Sequence, residues 1–296
     1  MHPRLLPVLT KKPVPSKRVC AAKLASLVSK RADTEVRTKR AERPFSFLLS
    51  APRFLLCPMS VLSTAAGTVH ILDRQAAFTE LAKRINALPG GRPTVALSGG
   101  STPKAFYAWA VTTGALSSDT LARVEWHVSD ERCVPLTSEE SNFGNAARGM
   151  LDALGVADSL RKPWPVGQAP QEAADTYEKS WRTPARPKLY DLCILGLGDD
   201  SHIASLWPQC PLIANDQGRF FMATEWPGRG WRLTITATGL AQCGEVIVLV
   251  AGANKAPALK AVCSGPLDVA CHPGQVLRKM ASRVTWIADA DSARLL

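Results

Sequence analysis

Residues 190–208 read YDLCILGLGDDSHIASLWP. Leu189 and residues 192–195 are apolar without alternation, as expected for a short strand covered on both faces. Gly196 and Gly198 break that run, as a turn at the carboxyl end of a strand would. Asp199, Asp200 and Ser201 then offer N-capping chemistry for a following helix. His202 falls inside the turn, two residues after a carboxylate. In open α/β sheets, ligand sites gather beyond the carboxyl ends of the strands. His202 with Asp200 is therefore a candidate general base, and a histidine that only caps a helix is the competing reading.

Working outward, strands and helices alternate. Strands are expected over 68–72, 94–97, 124–128, 190–195, 232–237, 245–251 and 285–288. Helices are expected over 73–88, 104–111, 145–154, 171–181 and 254–263. This order predicts an α/β fold with a doubly wound, mainly parallel sheet flanked by helices.

Three further stretches carry chemistry. Residues 97–104, LSGGSTPK, bring a buried strand to a glycine pair, two hydroxyls and a helix start. Glycines let the backbone approach an anion, and a helix N-terminus directs N–H groups at it. Ser98, Gly99, Gly100, Ser101 and Thr102 thus form a candidate cradle for a monophosphate, against the plainer reading of a strand-to-helix turn. Neither GxxxxGK[ST] nor GxGxxG is present. Residues 129–133, SDERC, also follow a strand. Asp130 and Glu131 are placed for sugar hydroxyls and Arg132 for phosphate, since a planar guanidinium matches phosphate oxygens. A solvated charged turn is the alternative. Asn142 either caps the next helix or joins the same cleft. Arg232 and Lys255 are further cations at element ends, able to complete an anion site if the fold brings them together. No G-x-S-x-G elbow occurs, and the five histidines show no metal-ligand spacing. His70 and His127 lie in strand-like segments and are assigned structural roles.

The chain has 296 residues and a formal net charge of +11. A basic surface invites a nucleic-acid reading, but the charge is unevenly spread. Residues 1–58 hold 13 basic and three acidic residues, and the remainder 23 and 22. The basicity therefore says little about the part that folds as an α/β unit. Residues 1–58 are read as a basic extension, with a short helical segment over 23–30, and residues 59–296 as one α/β domain. A transit peptide, a disordered basic arm and translated sequence upstream of a start at Met59 remain open for the extension. The third is preferred for its modest serine content and lack of a clear cleavage signal. No apolar run is long enough to span a membrane. The eight cysteines form no CxxC pair, which fits a reducing, cytoplasmic setting.

Taken in order, LSGGSTPK, WHVSDERCVPLTSEESNFGNA, YDLCILGLGDDSHIASLWP, RLTITATGL and VLVAGANKAPALKAV resemble the 6-phosphogluconolactonases, which share a superfamily with the glucosamine-6-phosphate deaminases. The resemblance covers about residues 66–290. It implies a sugar-phosphate isomerase/lactonase-like, Rossmann-type fold. The implied enzyme belongs to the oxidative pentose phosphate pathway and hydrolyses 6-phosphoglucono-1,5-lactone without metal or organic cofactor. The family's Asp-Gly-His falls on Asp200, Ser201 and His202. It makes His202 the base on a water, Asp200 its orienting partner, and the glycine loop, Arg132, Arg232 and Lys255 the phosphate holders. The expected partner is a small sugar phosphate, with no nucleic acid or membrane, in a monomer or weak dimer. Ser201 replaces the usual glycine and Ile203 the usual threonine. If that position has positive φ, serine carries strain of about 1 kcal/mol. A deaminase-type enzyme and a non-catalytic sugar-phosphate sensor are the rival readings. Residues 204–208, ASLWP, lack the acid of the deaminases' Phe-Asn-Glu-Pro.

Overall fold

A computed structural model describes residues 60–182 and 188–296. The expectations for residues 1–58 lie outside them. Among the described residues, ten strands form two sheets. They are β1 (Ser60–Thr64), β2 (Gly67–Ile71), β3 (Thr94–Leu97), β4 (Glu125–Val128), β5 (Asp130–Arg132), β6 (Leu192–Gly196), β7 (Phe221–Trp226), β8 (Gly230–Ile235), β9 (Glu245–Val250) and β10 (Val284–Ala288). The larger sheet has the order β1-β2-β10-β9-β6-β3-β4. Only the β1–β2 pair is antiparallel. β3 and β4 are buried at every position, as a parallel strand covered on both faces requires, although β4 carries Glu125 and His127. The sequence moves outward to β4 from β3, and outward the other way from β6 through β9 to β10. The switch point therefore lies beside β3 and β6, where a doubly wound sheet opens a crevice.

All seven expected strands are present, with ends shifted by at most two residues. The helices Arg74–Asn86, Ser101–Thr113 and Pro170–Trp181 are also found, as is Ala256–Ser264 after a short 3-10 turn. The expected helix over 145–154 begins earlier, at Asn142, and passes into a π-helical turn at Ala147–Leu151. The helix expected after Ser201 is absent. Ser201, Ala204 and Gln209 all have positive φ, at 70°, 46° and 64°, which no right-handed helix accommodates. Instead Leu206 N–H donates to Ile203 O at 2.9 Å and closes a tight turn.

A second, antiparallel sheet, β5-β8-β7, was not foreseen. Residues 130–132 are therefore a strand and not a solvated turn. An aromatic cluster packs this sheet against the helix Pro170–Trp181. Trp164 stacks on Tyr177 with centroids 3.9 Å apart, and Phe221 stands edge-on to both. His127 belongs to the same cluster and shares a 2.8 Å hydrogen bond with the Tyr177 hydroxyl, which agrees with a structural role. At the start of β7 the buried carboxylate of Glu178 accepts from Phe220 N–H, from Phe221 N–H at 2.8 Å and from Arg182 Nε at 2.6 Å. Removing it leaves the buried Phe221 N–H and the part-buried Phe220 N–H without their acceptor. Glu178→Ala is therefore expected to cost about 3 kcal/mol, read as a lower urea midpoint at unchanged m-value. Glu178→Gln, which keeps one acceptor oxygen, is expected to lose less.

Candidate active site

A cleft of about 280 Å³ opens at the carboxyl ends of β3, β6 and β9. Its walls include Ser98, Gly99, Gly100, Ser101, Thr102, Asp130, Arg132, Asn142, His202, Arg232 and Lys255. Every candidate named from the sequence except Glu131 and Asp200 thus lines one cavity, and Asp200 is bonded to His202.

The glycine loop owes its shape to two different needs. Gly100 has φ 100° and caps the helix Ser101–Thr113, a conformation L side chains avoid. Gly99 lies so close to Asn142 that a Cβ would overlap its amide. Below the loop, the Tyr107 hydroxyl donates to Ser98 O at 2.6 Å. The N–H groups of the helix's first turn have no intrahelical acceptors, and Ser101 and Thr102 in that turn face the cleft.

Asp130 is almost wholly buried and accepts from Ser205 Oγ at 2.7 Å and Ser129 Oγ at 3.2 Å. Glu131 alternates to the other side of β5 and does not reach the cleft, which corrects the reading that paired it with Asp130. Its carboxylate accepts from the N–H groups of Arg132, Asn142 and Phe143 and from Ser141 Oγ, all within 3.0 Å. Burial pushes the Glu131 carboxyl up, against the pull of those four donors. The residue therefore fixes the start of the helix Asn142–Ala146 and the backbone at Arg132. Asn142 Nδ2 in turn donates to Asp130 O at 2.9 Å.

Arg132 and Arg232 face each other across the β5–β8 ladder. Like charges directly opposite are unfavourable in a sheet unless an anion sits between them. Burial, with Arg132's charge added, lowers the Arg232 guanidinium from its ordinary value. Lys255 follows β9 and Gly252, whose φ is 100°.

On the opposite wall, His202 Nδ1 lies 2.6 Å from Asp200 Oδ1, and its backbone N–H reaches the same oxygen at 3.1 Å. Burial alone would raise the Asp200 carboxyl. Its bonds to His202 and that residue's charge outweigh burial and hold it at about 2. Asp200 is thus ionised at neutral pH and can only accept, so Nδ1 carries the N–H and a neutral ring in this pose has its lone pair on Nε2. A Cβ on Gly198 would overlap both His202 Nδ1 and Asp200 Oδ1, so only glycine fits there.

Ser201, the departure noted in the sequence, does have positive φ. Its side chain is buried, with Oγ 3.2 Å from His272 Nδ1, while its carbonyl accepts from Gly274 N–H at 2.9 Å. The 272–274 turn thereby braces the strained residue.

Sequence reasoning missed Ser205, Trp226 and Arg229, which also line the cleft. Trp226 stands edge-on to His202 at 5.1 Å and stacks on Trp207 at 4.9 Å. A Pro-Gly turn between two strand-like runs, at Pro227-Gly228, was the available hairpin signal. Among the described residues, no group of three or more His, Cys, Asp or Glu is placed to hold a metal ion, and no helix is long and apolar enough to cross a membrane.

Fold and site define a doubly wound α/β domain with an anion-adapted cleft at its switch point and a histidine–carboxylate pair on one wall. Residues 72–286 match the family described as glucosamine-6-phosphate isomerases/6-phosphogluconolactonase. The chain is 32% identical to a 6-phosphogluconolactonase of Synechocystis, over 70% of this chain and 85% of that one. It is 31% identical to 6-phosphogluconolactonase-like protein 2 of Saccharomyces cerevisiae, over 67% of this chain and 66% of that one. The fold resembles that of 6-phosphogluconolactonase from Trypanosoma brucei, with a TM-score of 0.67 and 24% identity, covering 80% of this chain and 97% of that one. The chain belongs to the glucosamine-6-phosphate isomerase/6-phosphogluconolactonase family.

Ser201 permits a test of strain against bonding. Ser201→Ala keeps a Cβ at positive φ and loses the His272 bond, so a loss of about 1 kcal/mol is expected. Ser201→Gly loses the same bond but sheds the strain, and is expected to stay within about 0.5 kcal/mol of wild type. Urea midpoints would give the order, and an alanine variant as stable as the glycine one would remove strain from the account.

Proposed function

We propose that the chain is a carboxylic ester hydrolase that opens 6-phospho-D-glucono-1,5-lactone to 6-phospho-D-gluconate. The observation that carries this is the single cleft with the His202–Asp200 pair on one wall and the facing Arg132–Arg232 pair on another. The family match and the lactonases among its relatives support the choice of substrate.

In this reading the 6-phosphate lies between Arg132, Arg232, Lys255 and the glycine loop, where charge-assisted bonds and the helix N-terminus favour a dianion. The sugar hydroxyls face Asp130, Asn142 and Ser205. The lactone carbonyl faces His202. Nε2 takes a proton from water as its oxygen bonds to C1, and Asp200 holds the ring in the tautomer that makes Nε2 the acceptor. Preorganised donors in the cleft stabilise the tetrahedral oxyanion. The intermediate collapses by breaking the bond from C1 to the ring oxygen. Imidazolium returns the proton to that oxygen, and the product is an open acid that ionises at neutral pH. The six cysteines among the described residues are all free thiols, which supports a reducing compartment such as the cytoplasm.

The test is the rate of lactone hydrolysis above the spontaneous background. Wild type is expected to accelerate it, and His202→Ala to lower kcat roughly 10²- to 10⁴-fold with little change in KM. Phosphosugar binding without turnover by the wild type would instead favour a sensor. Equal activity of wild type and His202→Ala would remove His202 as the base. The family match begins at residue 72, so we further propose that residues 59–296 carry the function. A chain starting at Met59 is expected to match the full chain in kcat and Tm, and a large loss of either would assign residues 1–58 a role.

A further inference from the structure

Four cationic side chains line the cleft, Arg132, Arg229, Arg232 and Lys255, against the one carboxylate of Asp130. A terminal phosphate carries at most two negative charges at neutral pH, so the wall holds more positive charge than that group needs. The cations are also not gathered at one place. Arg132 and Arg232 face each other across the β5–β8 ladder. Arg229 belongs instead to the turn joining β7 to β8, and its guanidinium lies over the Trp226 ring, 4.7 Å from the centroid. The His202 imidazole stands edge-on to that same ring, at 5.1 Å. Arg229 therefore stands at the histidine end.

The turn holds it there. Arg229 N–H donates to Trp226 O at 2.8 Å, Pro227 fixes the second position, and Gly228 takes φ 73° at the third. This is the chemistry of a type II turn. Trp226 is pinned in turn by stacking on Trp207. No acidic side chain among the described residues forms an ion pair with Arg229. A guanidinium preset on an aromatic face, without a carboxylate partner, is ready for a planar anion.

We infer that Arg229 binds the C1 carboxylate of the product, a second anion subsite opposite the phosphate. The inference rests on the proposed substrate, since it is water attack at C1 beside His202 that creates a carboxylate at this end of the cleft. The lactone is neutral at C1, so Arg229 discriminates product from substrate. It also faces the oxygen on which charge grows during attack.

Titration calorimetry of two ligands isolates this subsite. 6-Phospho-D-gluconate carries both anions, and D-glucitol 6-phosphate replaces the carboxylate with a hydroxymethyl group. Arg229→Ala is expected to weaken 6-phosphogluconate at least tenfold while glucitol 6-phosphate changes less than twofold, with Arg229→Lys between. Arg132→Ala is expected to weaken both ligands alike. Equal effects of Arg229→Ala on both ligands, or none on either, would overturn the subsite while leaving the phosphate end intact. Failure of wild type to bind either ligand would overturn the proposed substrate and the subsite with it. Arg229 is exposed on a turn, and an unchanged Tm for its variants would separate lost binding from lost folding.

Discussion

The His202 imidazole occupies the space that a side chain at residue 198 would fill. That exclusion organises the acidic loop. Because Gly198 has no Cβ, the chain folds back on itself, and Gly198 N–H donates to His202 O at 2.8 Å. The fold-back places Asp200 Oδ1 against both nitrogens of His202 that face it, the ring Nδ1 and the backbone N–H. It also forces Ser201 into positive φ. The two donors from His202 hold the Asp200 carboxyl below its ordinary range, and the carboxylate in turn fixes the orientation of the ring.

The opposite wall depends on a comparable constraint. Two arginines in register across an antiparallel ladder repel, and the fold must hold them there by other means. Glu131 does so from behind. Lying on the far side of β5, it accepts the Arg132 N–H and anchors the helix that carries Asn142. Arg132 also donates to the carbonyl of Glu140. The strand alternation that turns Asp130 into the cleft and Glu131 away from it is thus what separates a binding carboxylate from a bracing one.

How far the sequence could be read follows from range. The parallel strands were legible because burial on both faces leaves continuous apolar runs, as in residues 192–195. The glycine loop and the His202 loop were legible because they sit at strand ends beside glycines, where turn chemistry is local. The small sheet was not. β5 is three residues long and its charged sequence reads as a turn, and its pairing with β8 joins positions about a hundred residues apart. The helix expected after Ser201 failed for a related reason. Asp199, Asp200 and Ser201 are good caps, but the Asp200 carboxylate is taken by His202 two residues on, and the chain turns left-handed at Ser201 and Ala204. Trp226 and Arg229 escaped notice because their place in the cleft depends on that same unforeseen hairpin. The positive φ at Ser201 was the one geometric consequence that the departure from glycine foretold.

The serine shows how this loop holds a residue other than glycine at positive φ. A left-handed residue other than glycine costs about 1 kcal/mol. A buried hydrogen bond returns about the same amount, and the Ser201 hydroxyl finds one in His272. The bond comes from a loop some seventy residues away, which also donates Gly274 N–H to the Ser201 carbonyl. A glycine here would need no such support, and a larger side chain would find no room, because Ser201 is buried. Serine is small enough for the space and polar enough to be anchored. The strain at the residue before His202 is therefore offset by contacts outside the cleft.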